Sequence, residues 1–448
     1  MLSITEAEAR AAALVERAAR AGADAADALY YAEASTSVQV RLRELEDVSR
    51  AEGEAISLRF FVGRRSASVS SSDLSDEALS ALVERAAAMA REAPEDPWSG
   101  LAPEDRLLRD SGPDVEGDDG ADPSPVELKA RALATEEAGL GIAGITNSEG
   151  AGANAGRTVI ALATSHGFCR GYSTSGYSCS ASLIAGAGGE MQRDYAWHSV
   201  RHYSQIEDPE TIGRRAAERA VARLRPGRLA SGTMPVLFDP RAGDSLIGHF
   251  VAAISGPSIT RRTSFLLDKE GEAVFAAGVT IRDDPHRRRG LRSKPFDGEG
   301  MATKPSNLVE AGRLTGWLLD SASARQLGRA PTGHSARGAS GGANVGATNV
   351  HIEPGALSRE QLIGEVERGL YVTHLIGQGV NPVTGDYSRG ASGFIVEKGQ
   401  LGAPVAEITI AGNLLDMFAN LTAANDLEFR QAVNAPTLRV DGMTVAGA

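Results

Sequence analysis

The sequence predicts an α+β fold in two domains, a mixed N-terminal domain over 1–228 and a β-rich C-terminal domain of curved sheet over 229–448. Three observations predict it. The first half alternates helix-period segments with hairpin-like strand pairs. The second half has little helical periodicity and many glycine turns. Glycine reaches 51 of 448 residues while aromatics are only 5%, so the cores must rest on Ala, Val, Ile and Leu. The chain is long enough for two or three hydrophobic cores.

The first helix has Thr5 and Glu8 in capping-box spacing, Leu14 and alanines on one face, and Gly22 as its stop. Val38, Val40 and Leu42 then alternate with polar residues, as do Ile56, Leu58, Phe60 and Val62, and Gly63-Arg64-Arg65 turns the chain into a further strand. A second helix over 79–93 is capped by Asp73 or Ser75. The Pro-, Gly- and Asp-rich stretch 94–125 is expected as a long, partly mobile surface connection. A third helix (126–139), strands from about 142 to 205, and a fourth helix (208–227, with Asp208 as N-cap and Pro209 first in the helix) complete this half. The second half opens with a strand at 234–239 and a glycine-interrupted helix at 242–255. Strands and turns follow to a helix at 413–424 and a terminal strand from 437.

Composition excludes several classes. Net charge is −12, so the chain lacks the basic footprint that nucleic acid requires. No apolar run is long enough to span a bilayer, and the acidic, helical N-terminus does not read as a secretory signal. Two cysteines, Cys169 and Cys179, make no disulfide framework; they either pair or stay free thiols, and a reducing cytoplasm is expected.

Four motifs invite chemistry. Gly139-Leu140-Gly141-Ile142-Ala143-Gly144 has dinucleotide-loop spacing, but it follows a helix and precedes a strand, the reverse of what that loop needs. His198 and His202 are four apart and would share a helix face, although the stretch also reads as strand. Gly333-His334-Ser335-Ala336-Arg337 lacks the closing glycine of a nucleophile elbow. The basic cluster 283–292 is either a solvated turn or a contact to an acidic partner.

Four blocks carry a resemblance: KPFDGEGMATKPSNLVEAGRLTGWLLDSASARQLG at 294–328, PTGHSARG at 331–338, VTHLIGQGVNPVTGDYSRGASGFIVEKGQ at 372–400, and AEITIAGNLLDMFANLTAANDLEFRQAVNAPTLRVDGMTVAG at 406–447. In this order they resemble the TldD/PmbA family, and within it the TldE (PmbA) branch. The resemblance implies a cytoplasmic two-subunit peptidase acting on unfolded or small peptides. One subunit, the TldD type, carries a His-Glu-x-x-x-His zinc motif and a late Cys ligand; the TldE type lacks them and pairs with it. Here Asp244 stands at the first histidine, Ser245 at the glutamate and His249 at the second histidine, and no cysteine follows Cys179. Ser245 is no general base near neutral pH, and one histidine with one aspartate falls short of the three protein ligands of a catalytic zinc site.

The expectation is therefore a chain without catalytic residues or cofactor of its own, paired with a zinc-bearing TldD-type partner and able to form a homodimer when alone. Competing expectations are a self-sufficient homodimeric enzyme with a site built from His198, His202, His249 or His374, and a regulatory binding protein. The peptide is expected to add as a strand to a free sheet edge near 387–392 or the loop 338–346. Arg337, Asn344, Arg389, Gly390 and Ser392 are its candidate contacts.

Overall fold

The computed structural model describes residues 1–340 and 342–447; Gly341, inside the 338–346 loop singled out above, lies outside the described residues. Helix α1 (Ile4–Arg20) starts two residues earlier than Thr5 and Glu8 suggest. Its capping box is Ser3 with Glu6, because the buried stripe of Ala7, Ala11, Leu14 and Ala18 demands a helix already formed at Ala7. Strands β1 (Ala25–Arg41) and β2 (Glu44–Val62) form one long antiparallel hairpin. Its turn residues Leu42 and Arg43 both have positive φ. The Glu136 carboxylate accepts hydrogen bonds from both of their N–H groups, at 2.9 and 2.7 Å, and so offsets that cost.

Strand β3 (Arg65–Ser71), helix α2 (Asp76–Glu92, capped by Ser75) and helix α3 (Pro125–Leu140) come next. Then follow β4 (Ile145–Thr164), β5 (Cys169–Ala185), β6 (Gln192–Val200) and α4 (Pro209–Ala222). Helix α4 stops well before Gly227: Pro226 disfavours helix at Arg225, which takes a positive φ. The strands form one antiparallel sheet in the order β3-β2-β1-β4-β5-β6. Alternation decides its two faces. Tyr30, Ile56, Leu58 and Ala161 bury against α1 and α2, and Val38, Ala153, Cys179 and Leu183 against α3 and α4. The opposite face, with Leu29, Leu162 and Tyr172, packs against Phe296 and Met301 of the second half.

The 94–125 segment runs as a strap over the second half. Leu107 and Val115 are buried, Leu107 bridges to Met301, and Glu116 pairs with Arg288 and Arg289. The acidic counterpart of the basic cluster 283–292 thus lies within the chain.

In the second half, β7 (Gly232–Phe238) leads into α5 (Pro240–Ala253) and the short α6 (Gly256–Thr260). The following elements are β8 (Ile281–Asp283), β9 (Ser306–Glu310), β10 (Arg313–Leu314), α7 (Ser321–Gln326), β11 (Ser335–Arg337), β12 (Ala343–Val345), β13 (Val350–Ile352) and α8 (Arg359–Gly364). Strands β14 (Arg368–Ile376), β15 (Asp386–Glu397) and β16 (Gln400–Asn413), helix α9 (Leu414–Ala419), and strands β17 (Leu421–Ala423), β18 (Val433–Asn434) and β19 (Leu438–Ala446) complete it. The expected curved sheet closes on itself. The order β16-β15-β14-β7-β19 returns to β16 through the pairing of Thr409–Ala411 with Thr444–Ala446, which makes a barrel. A second sheet runs β10-β9-β8-β13-β18, and α5 packs between β14, β7 and β18.

Candidate functional site

Helix α5 carries the three motif positions. Its buried stripe, Leu246, Ile247 and Phe250, fixes the helix in the core and turns Asp244, Ser245 and His249 away from that stripe. The Asp244 carboxylate accepts from Gln431 Nε2, and burial pushes Asp244 up to about 6. Ser245 Oγ donates to the Ala242 carbonyl at 2.7 Å, so it is spent on its own helix. His249 Nε2 is buried with no hydrogen-bond partner, and its ring meets Tyr387 edge-on at 6.2 Å. Burial, then the Arg389 charge, holds His249 below the ordinary histidine value. Burial likewise pushes the Tyr387 hydroxyl up to about 12, and that hydroxyl also lacks a partner.

These donors do not fit a catalytic zinc ion. They comprise one imidazole, one hydrogen-bonded carboxyl and a committed hydroxyl, with the cationic Arg389 beside them, whereas such a site needs three protein ligands and a base. Among the described residues no group of three or more His, Cys, Asp or Glu could hold a metal.

Asp244 also makes a pH prediction. Its folded value lies above the unfolded one, so folding stability falls as pH rises from about 4 to about 6. Asp244→Asn keeps an acceptor for Gln431 and removes that slope. The variant should be more stable than the parent above pH 6, by on the order of 2 kcal/mol, in thermal melts at pH 4, 5, 6 and 7.

Gln431 also lines a cleft of about 710 Å³ between β6, α4 and the barrel. The cleft joins the two halves through Asp194. This buried carboxylate accepts from Arg241 at 2.5 and 3.1 Å and pairs with Arg223 at 3.4 Å. Burial works against the Asp194 charge, but the Arg241 hydrogen bonds and charge outweigh it and hold the carboxyl below its ordinary value. Arg219 and Arg359 line the same cleft, and among the described residues neither has a carboxylate within ion-pair distance. Arg219 donates to the Tyr195 carbonyl, and Arg359 lies over the Tyr371 ring and donates to its hydroxyl. Trp197, Tyr195, Phe394 and Leu401 supply apolar wall. Aromatic faces with uncommitted guanidinium N–H groups suit a peptide's carbonyls and carboxylates.

The expected contact residues are not brought together. Arg389, Gly390 and Ser392 lie on β15, whose two edges are both taken by β14 and β16, so the free sheet edge expected there does not exist. Ser392 reaches the cleft only through Arg223, whose Nη2 donates to its hydroxyl at 3.0 Å. Ala343–Val345 of the expected loop pair with Ser335–Arg337 as the β11–β12 ribbon, with Asn344 exposed and opposite Ala336. Arg337 is inward, ion-paired to Asp27 of β1 at 2.8 Å.

The histidines do not assemble either. His198 Nδ1 accepts from the Glu207 N–H, His202 meets the Glu116 carbonyl, and His374 stacks edge-on against Tyr195. His334 spends both ring nitrogens on Asp283 and Thr332, leaving none for Ser335. Cys169 and Cys179 are free thiols. Gly139 of the glycine motif lets α3 approach α4 and β5, since a Cβ there would lie 2.9 Å from the Gly213 carbonyl. The residues that form the cleft were not visible in the sequence, because Asp194, Arg241, Arg359 and Gln431 come from four distant segments with no shared spacing.

Comparison with known proteins places these observations. Residues 231–447 match the PmbA/TldA metallopeptidase C-terminal domain, 118–224 its central domain and 26–90 its domain 1. "Metalloprotease PmbA" of Escherichia coli O157:H7 is 40% identical over 413 residues, covering 92% of this chain and 90% of that protein. The Haemophilus influenzae homologue is 38% identical, covering 97% and 94%. A Bacteroides thetaiotaomicron crystal structure, described as a candidate modulator of DNA gyrase, superposes over 100% of both chains with a TM-score of 0.92 at 27% identity. TldE from Thermococcus kodakarensis shares the fold, with a TM-score of 0.87 at 23% identity over 97% of this chain and 99% of that one.

Proposed function

This chain belongs to the PmbA/TldD metallopeptidase family, and from that premise we propose that it is the non-hydrolytic, TldE-type subunit of a two-subunit zinc peptidase. Its partner is a TldD-type subunit that carries the zinc, and the pair acts in the cytoplasm on unfolded or small peptides. In the partner's absence the chain pairs with a second copy of itself. One observation carries the reading: the α5 positions that would hold zinc and its base are filled by a carboxyl bonded to Gln431, a serine bonded to its own helix, and a lone histidine beside Arg389. In this reading the 710 Å³ cleft supplies part of the peptide's surroundings, through Arg219, Arg359 and the aromatic wall. Among the described residues no helix is long and apolar enough to cross a membrane.

Elemental analysis tests the reading at its root. After dialysis against trace zinc, the purified chain should hold far less than one zinc. A content of about one zinc per chain, lost in His249→Ala, would contradict the proposal.

A further inference from the structure

A second cavity, about 330 Å³, lies where the helix-free face of the six-stranded sheet meets the 291–298 loop and β11. Its lining is electrostatically one-sided. Four cations contribute, Arg201, Arg292, Lys294 and Arg337, against one carboxylate, Asp297. The Asp297 oxygens are already taken by the N–H groups of Glu299, Met301 and Ser335. Among the described residues, only Arg337 of the four cations has a carboxylate within 4 Å.

The side chains are also under-bonded. The Arg337 side chain is 1% exposed, and its Nε and Nη2 have no hydrogen-bond partner. Ser335 Oγ is buried and equally unpartnered. Lys294 Nζ donates to a single acceptor, the Ser335 carbonyl at 2.9 Å, though an ammonium has three N–H bonds to give. Burial lowers the Lys294 ammonium from its ordinary value and outweighs the opposing charges of Asp297 and Asp283. Arg292 is exposed at the mouth, where it attracts anions from solvent. The opposite wall is apolar, built from Leu29, Ile160, Leu162 and Phe296. Unpaired buried polar groups of this kind cost free energy unless a ligand satisfies them.

We propose that this cavity binds a small carboxylate with an apolar, arene-sized body, its carboxylate on Lys294 and its body against the sheet. The volume sits near the lower end of small-molecule sites, which excludes nucleotides and long peptides. A free aromatic acid and the C-terminus of a short peptide share this chemistry. Because both halves of the chain line the cavity, the ligand fastens the sheet to the C-terminal region. The site is independent of the zinc partner and of the peptidase reading.

Calorimetric titration of the full chain tests it with four probes: 3-phenylpropionate, N-acetyl-alanyl-phenylalanine, the amide of that dipeptide, and inorganic phosphate. The acids should bind, with the amide and phosphate weaker by at least roughly tenfold. Whichever acid binds more tightly identifies the source. Lys294→Met, close in shape and uncharged, should weaken the acids by at least about tenfold. Acids no tighter than the amide, phosphate as tight as the acids, or a folded Lys294→Met with unchanged affinity would overturn the proposal. If that variant does not fold, a crystal structure of the parent chain with N-acetyl-alanyl-phenylalanine decides. The carboxylate should lie within hydrogen-bond reach of Lys294 Nζ, and density elsewhere overturns the site.

Discussion

An Asp27→Ala chain should lose about 3–5 kcal/mol of folding stability, a large share of the roughly 5–15 kcal/mol that holds a native protein folded. Asp27 on β1 is fully buried and holds two guanidinium groups at once. Arg59 of β2 donates to both its oxygens, with Nε at 2.9 and 3.0 Å, and Arg337 of β11 donates at 2.8 Å. Burial opposes the Asp27 charge, but Arg337 and Arg59 more than offset it and hold the carboxyl below its ordinary value. Removing the carboxylate leaves two buried cations, with Glu299, 3.9 Å from Arg59, as the one other carboxylate within ion-pair distance of either among the described residues. Burial pushes Glu299 up to about 7, which weakens it as a counter-ion at neutral pH. Because Arg337 comes from the second half, the loss should also loosen the seam between the sheet and the barrel side. Urea melts of the parent and the variant measure it, with the midpoint falling steeply at an unchanged slope. The parent's contribution from Asp27 is present at neutral pH and fades as pH falls below the ordinary aspartate range toward the depressed folded value. An Asp27→Ala midpoint within error of the parent's would show that the network contributes nothing.

Gly213→Val in α4 is the second large effect. A Cβ at Gly213 would lie 1.9 Å from the Thr135 carbonyl oxygen and 2.9 Å from its carbon, so the obstacle is backbone. Helices α3 and α4 would have to separate, opening the apolar layer of Leu128, Ala132, Ile212 and Ala216. Overpacking of this kind costs about 1–3 kcal/mol where side chains can adjust, and rigid backbone puts this case at about 3 kcal/mol or above. Thermal melts should show a drop of several degrees, whereas Gly248→Ala on α5, with nothing within 4 Å, should hold or slightly raise the melting temperature, because alanine is the better helix residue.

What the sequence disclosed follows from which interactions are local. Helix α3 and the start of α4 were legible because caps and periodicity act within one turn. Asp208 and Pro209 stand where those rules put them, and α3 starts one residue before the expected 126, at Pro125 behind its Ser124 cap. The lengths of β1 and β2 were not. Residues 44–53 are exposed, and only pairing with β1 keeps them extended. Barrel closure was hidden too, since β16 meets β19 through residues more than thirty positions apart. At the site, Asp244, Ser245 and His249 could be read because the family resemblance supplies the motif they align to. The edge expected near β15 failed because exposure of a strand's edges depends on neighbours that arrive later in the chain. Arg337 was expected to contact the peptide; its partner in the fold is Asp27, 310 residues away, which no local pattern discloses.

The central claim is that this chain completes a peptidase whose chemistry belongs to another subunit. It is tested by hydrolysis of an unstructured peptide with this chain alone, with a TldD-type zinc subunit alone, and with the two mixed. The account predicts no turnover by this chain, and chelator-sensitive cleavage that reaches its full rate only in the mixture. Robust chelator-sensitive cleavage by this chain alone, or a zinc subunit whose rate does not change when this chain is added, would contradict it.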